Sequence, residues 1–134
     1  MKNLEQIRAA NALSYAKKAS NTRGTQGGEV VKKLPALIMT NGLLAAGAFA
    51  YAKGEQDDWY VCFDHLAAHL AHGETGVVPK DRGTLVGLLD HLTKDADSGV
   101  LQRSTAEALA WLAFAKRFVR KTRSGDDGGD DDSN

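Results

Sequence analysis

Cys62, His65, His69 and His72 recur at intervals of three and four residues within the stretch VCFDHLAAHLAH, which lays all four along one stripe of a helix. Histidines at i and i+4 can chelate a metal ion, so His65 and His69 are the first residues here whose types and spacing suit chemistry. The remainder of a zinc enzyme does not follow. Leu66, Ala67 and Ala68 fill the interval between the pair, so the glutamate that an H-E-x-x-H motif uses as general base is absent. All four donors would also come from one helix, with no second ligand cluster downstream. The simpler reading is a helix flank of packed or solvated histidines. With no Gly-rich phosphate loop and no Ser/His/Asp arrangement, neither catalysis nor a cofactor is expected.

A second group of residues suits a different chemistry. Arg103, Lys116, Arg117, Arg120 and Lys121 share one sector of the last helical segment, separated by the small Ala106, Ala110 and Ala113. Lys17, Lys18 and Arg23 lie at and beyond the end of the first helical segment, and Lys32 and Lys33 precede a long apolar stretch. Clustered cations of this kind suit an RNA phosphate backbone, because each neutralised phosphate releases counterions whatever the base. The competing reading is an ordinary solvated basic surface. Charge bookkeeping supports a basic body: Lys and Arg number 17, Asp and Glu 17, yet residues 124–134 (SGDDGGDDDSN) carry five Asp and no base. Residues 1–123 therefore hold 17 basic against 12 acidic side chains, a surplus of five. The terminal run has no apolar group to offset ordering entropy and is expected to be a disordered acidic tail.

The elements that must position these residues are all helical. At 134 residues, with 43% hydrophobic residues rich in Ala and Leu and only two prolines, the chain fits one all-α domain over residues 1–123. Asn3 to Ala19 places Leu4, Ile7, Ala12, Tyr15 and Ala19 on one face, with Arg8 and Asn11 near its centre. A guanidinium there needs a partner or an opening to solvent. After the loop NTRGTQGG, the stretch Leu34–Ala52 has no charge over 19 residues and is apolar on both faces, which predicts either a membrane span or a buried helix. Eight of its 19 residues are Ala or Gly, and Pro35 and Asn41-Gly42 interrupt it. It therefore reads as the central helix of a bundle, with Pro35 in a first turn and Gly42 and Gly47 admitting a close neighbour.

Further along, Asp57 and Asp58 start a helix whose core stripe is Trp59, Phe63, Leu66 and Leu70. Thr84 to Ala96 is amphipathic with Leu85, Leu88, Leu89 and Leu92 inward, and Asp97-Ser98-Gly99 turns the chain. The sequence Ser104-Thr105-Ala106-Glu107 reads as a capping box opening a last helix to about Lys121. A compact bundle of five or six helices results. The lone Cys62 and an N-terminus without an apolar signal core point to a cytoplasmic protein with no membrane partner.

The order Lys33-Leu34-Pro35-Ala36-Leu37-Ile38, Asn41-Gly42-Leu43, then Arg103-Ser104-Thr105-Ala106-Glu107-Ala108-Leu109 leading to Lys116-Arg117-Phe118, resembles the small subunit of type III-B CRISPR effector complexes, the Cmr family. The similarity runs over about residues 2–121 and includes Arg8; the acidic tail and the loop Glu74–Arg82 fall outside it. The resemblance implies a non-catalytic, all-helical subunit present in several copies, stacked beside the crRNA-bearing backbone and lining the path of target RNA. It implies as partners the backbone subunit, which cleaves target, the polymerase-like large subunit, which makes cyclic oligoadenylate, and further copies of itself. Two other classes stay open on the residues alone: a free-standing helical nucleic-acid-binding module, and a metal-binding enzyme using His65, His69 and His72.

Overall fold

The computed structural model describes residues 2–20 and 27–127, and only the backbone for residues 20, 27 and 120–127. Six α-helices follow in chain order: α1 Leu4–Ser20, α2 Gly27–Asn41, α3 Leu43–Lys53, α4 Asp58–Ala71, α5 Leu85–Lys94 and α6 Ser98–Asp127, with a 3₁₀ turn at Lys80–Arg82 before α5. No strand occurs among the described residues. The all-α bundle is as expected, and its starts are set by side chains that satisfy first-turn amides. Asn3 and Gln6 form a reciprocal capping box, Gln6 N–H donating to Asn3 Oδ1 at 2.9 Å and Asn3 N–H to Gln6 Oε1 at 2.8 Å. Asp57 accepts from Trp59 N–H and Thr84 from Gly87 N–H, opening α4 and α5.

The last helix begins earlier than its sequence signal. Asp97 Oδ1 accepts from Val100 N–H at 2.9 Å, so Asp97 caps α6. Ser104 and Glu107 lie inside the helix and are buried, so the apparent capping box at Ser104–Glu107 is not one. The physical reason is burial: Glu107 is turned inward to partners on other helices. Helix α6 also continues past Lys121 to Asp127; residues 128–134 of the acidic run lie outside the described residues.

The charge-free stretch is two helices. Gly42 has φ +97°, a conformation costly for any residue with a Cβ, and it ends α2 and caps α3. Pro35 sits well inside α2 rather than in a first turn, forfeiting the bond its N–H would donate to Val31. The inner faces of α2 and α3 bury Val30, Val31, Leu34, Ile38, Leu43, Ala46 and Ala50. Their outer faces do not: Met39 is 73% exposed, Tyr51 55% and Phe49 44%, because no described helix covers that side. The centre of the bundle is instead α4, which touches α1, α2, α3, α5 and α6 and buries Tyr60, Cys62, Phe63, Leu66, Ala67, His69, Leu70 and Ala71. Gly47 does admit a neighbour closely, since a Cβ there would stand 2.7 Å from Leu89 Cδ2 on α5. Gly42 has open space around it and serves the backbone turn. No helix among the described residues is long and apolar enough to cross a membrane.

A buried polar cluster and a candidate nucleic-acid interface

The most extensive packing in the bundle is between α1 and α6. Two register points fix its direction. Arg8 meets Glu107, and the Tyr15 ring lies 5.5 Å from the Trp111 ring, so positions on both helices advance together and the two run in the same sense. Helix α4 runs against α1, with Tyr15 beside His65 at 5.1 Å and Asn11 beside His69. Small residues at the contact, Ala12, Ala16, Ala108 and Ala115, are all fully buried and let these backbones approach.

Inside this three-helix junction sits a polar cluster. The Glu107 carboxylate accepts from Arg8 Nε–H at 2.6 Å and Nη2–H at 2.7 Å, and from His69 Nε2–H at 2.9 Å. The Asn11 amide donates to His69 Nδ1 at 2.9 Å, which leaves the ring proton on Nε2 and the imidazole neutral. Burial lowers the His69 pKa despite the nearby carboxylate, which is already committed to Arg8. For Glu107, burial works to raise the pKa, but the hydrogen bonds from Arg8 and His69 outweigh it and hold the carboxyl below its ordinary value. The carboxylate is nearly dry, with the Glu107 side chain 7% exposed, whereas that of Arg8 is 27% exposed and keeps some access to water. The demand for a partner at Arg8 is thus met across three helices, one reason α1 can dock with polar groups at the middle of its apolar face.

The histidine stripe is taken up by separate roles. His69 belongs to the cluster; the rings of His65 and Tyr15 are in contact; His72 Nδ1 accepts from Glu74 N–H at 3.2 Å. Cys62 is fully buried beside the Tyr15 hydroxyl, and burial pushes its thiol up to about 12, far from a reactive or metal-binding thiolate. Among the described residues, no three His, Cys, Asp or Glu side chains converge to hold a metal ion.

The basic candidates divide into separate groups. Lys17 and Lys18 are exposed at the end of α1, and Lys116 and Arg117 are exposed on α6, five and six residues beyond Trp111, the partner of Tyr15. The partly buried Phe114 and Phe118, stacked at 6.1 Å, sit on the same stretch of α6. Arg103 is exposed thirteen positions before Lys116, about 20 Å away along the axis. Lys32 and Lys33 are exposed on the surface of a second helix, α2. Arg23 lies outside the described residues, and of Arg120 and Lys121 only the helical backbone is described.

At the α2 surface a groove of about 520 Å³ opens between α2, α3 and the start of α4, with Lys32 and Lys33 at its edge and Phe49 and Trp59 in its wall. Sequence reasoning missed this groove because Trp59 falls on the core stripe of α4 and Phe49 on a face expected to be buried. It also missed Glu107 as the hub, although Arg8 on an apolar face already called for a partner or an opening to solvent.

Comparison with known proteins agrees with this architecture. A search of curated proteins gives no match. Among solved structures, the fold matches the crystal structure of a CRISPR-associated Cmr5 family protein from Thermus thermophilus, with a TM-score of 0.72 and 25% sequence identity over 90% of this chain and 97% of that one. The family described as CRISPR-associated protein (Cas_Cmr5) matches residues 4–122, which takes in Arg8, Asn11, His69 and Glu107. The chain therefore belongs to the Cmr5 family, the small subunits of type III-B CRISPR complexes.

Proposed function

We propose that this subunit is a non-catalytic spacer and clamp: it stacks in several copies beside the crRNA-bearing backbone of a type III-B complex and holds target RNA through exposed cations. Membership of the Cmr5 family supports a role as a subunit of such a complex. Support for the RNA contact comes from α1 and α6 running in the same sense, each with exposed cations past the Tyr15–Trp111 contact: Lys17 and Lys18 on α1, Lys116 and Arg117 on α6. Phosphates can be neutralised there without sequence preference. Arg120 and Lys121 continue the same helix, Lys32, Lys33 and Arg103 are further exposed candidates, and Arg23, which lies outside the described residues, stays a candidate from its charge alone. No catalytic role is assigned in this reading, since His69 and Glu107 are spent on the interior and the Cys62 thiol is protonated at neutral pH.

The test is a reconstituted complex carrying Lys116→Glu/Arg117→Glu. Both side chains are exposed, so the fold should be unaffected. Target RNA should be held less tightly, to the same degree for unrelated sequences, and the slope of log affinity against log salt should shrink by roughly 0.7–0.9 for each phosphate that is no longer neutralised. Normal assembly with unchanged affinity and slope would remove this face from the RNA path; failed assembly would give it to a neighbouring subunit.

A further inference from the structure

The groove between α2, α3 and α4 brings an apolar floor, an aromatic wall and flanking cations together. Its floor on α2 is Ala36 and Leu37, and its wall is an aromatic pair, Phe49 and Trp59, in edge-to-face contact with centroids 5.0 Å apart and planes at 82°. Trp59 is half-buried against the core, which fixes it in place, while Phe49 on the outer side is 44% exposed. Cations surround this apolar strip. Lys32 and Lys33 line one end, and Lys53 Nζ stands 5.1 Å from the centroid of the Phe49 ring. Thr40 and Asn41, which can offer hydroxyl and amide groups, line the other end, two helical turns or about 12 Å along α2. No carboxylate is among the lining residues. Glu29 reaches Lys33 only at 3.7 Å, with both side chains more than half exposed, so a phosphate could replace it at little cost.

We propose that this groove holds one unstacked base of single-stranded RNA against the Phe49–Trp59 pair, with Lys32 and Lys33 on the adjoining phosphates. The proposal rests on the RNA-path reading and adds a base-holding site to it. Charge complementarity selects the occupant. An apolar partner helix would leave three lysines around its contact without counter-charge, and an acidic peptide would leave the aromatic wall unfilled. A nucleotide supplies both a flat π-surface and an anion. Stacking on aromatic side chains tolerates any base, so the site would not conflict with guide-directed specificity.

The test uses the assembled complex with target RNA carrying 5-iodouridine at successive positions, photocrosslinked and mapped by mass spectrometry. Crosslinks to Phe49 or Trp59 at defined target positions are expected, together with about a tenfold loss of target affinity on Phe49→Ala. Phe49→Leu, which keeps packing against Trp59 but removes the ring, should lose affinity similarly, and circular dichroism checks that both variants fold. Crosslinks confined to α1 and α6, with Phe49→Leu binding normally, would overturn the groove and leave the RNA path standing. Absence of any crosslink to this subunit would overturn both. Folded Phe49→Leu that no longer joins the complex would assign the groove to a neighbouring protein and likewise overturn the proposal.

Discussion

Arg8 and Glu107 stand 99 residues apart in the chain and meet through two hydrogen bonds, Nε to Oε2 at 2.6 Å and Nη2 to Oε1 at 2.7 Å. The pair is planar recognition of a carboxylate by a guanidinium, and Oε2 also accepts from His69, which draws α4 into the same contact. Three helices are oriented by one buried charge.

Removing that charge should be costly. Glu107→Ala leaves Arg8 without its counter-ion and His69 Nε2–H without an acceptor; because Arg8 keeps some access to water, a loss of about 3 kcal/mol is expected, at the low end for a broken buried pair. Arg8→Met/Glu107→Gln removes both charges and keeps an acceptor for His69, so it should recover at least half of that loss. Urea unfolding of Glu107→Ala reads the loss, and the same measurement on Arg8→Met, Glu107→Gln and their combination closes a double-mutant cycle and measures the coupling. Strict additivity would mean that the pair contributes nothing specific.

Acid should weaken the fold in two stages. His69 and His65 both have pKa values lowered by burial, so the unfolded chain takes up protons near the ordinary 6.5 while the folded chain does not. Stability is therefore full above that pH and falls as the pH drops below it, by up to about 1.4 kcal/mol per pH unit for each histidine. Glu107 is depressed below its ordinary 4.5, so its contribution is present above that value and is lost as the pH falls through the lower folded one. Unfolding free energies measured from pH 8 to 5 should slope downward in the wild type and flatten in His65→Gln/His69→Gln. A flat wild-type profile would show that neither ring is held neutral.

Two glycines separate backbone need from space. At Gly42 nothing lies within 4 Å of where a β-methyl would stand, but φ is +97°, so Gly42→Ala should cost about 1–2 kcal/mol through strain alone. Gly47 is in regular helix, where alanine is intrinsically better by about 1 kcal/mol, but its methyl would press on the end of Leu89 at 2.7 Å. Leu89 is only half-buried and can yield, so Gly47→Ala should be close to neutral, whereas Gly47→Val adds bulk toward Phe63 and should cost about 1–3 kcal/mol. Melting temperatures order the three; a tolerant Gly42→Ala would rule out the strained turn.

Most helix positions were legible because apolar periodicity reports a face whenever one side of a helix is buried, as in α1 and α5. The capping box at Ser104 misled because a polar residue followed three later by Glu carries the same letters whether it opens a helix or lies within one; the cap was Asp97, two turns earlier. The stretch Leu34–Ala52 misled for a related reason. Apolar character on both faces reads as burial, yet Met39, Phe49 and Tyr51 face outward, and hydropathy does not distinguish a core from an exposed apolar surface. Arg8 was recognisable as a residue in need of a partner. Which residue supplied it was not, since nothing local links positions 8 and 107.

The side-by-side packing of the first and last helices also bears on how the chain is made. Ribosomes adding about 5–20 residues per second need roughly 5–20 s to travel the 99 residues from Arg8 to Glu107. Through that interval Ile7, Ala12 and Tyr15 wait with their principal docking surface still unsynthesised, since α4 supplies only part of their cover and α6 most of it. Native closure is thus postponed until α6 has been made, and a nascent chain stalled before α6 would display an adhesive helix to its surroundings.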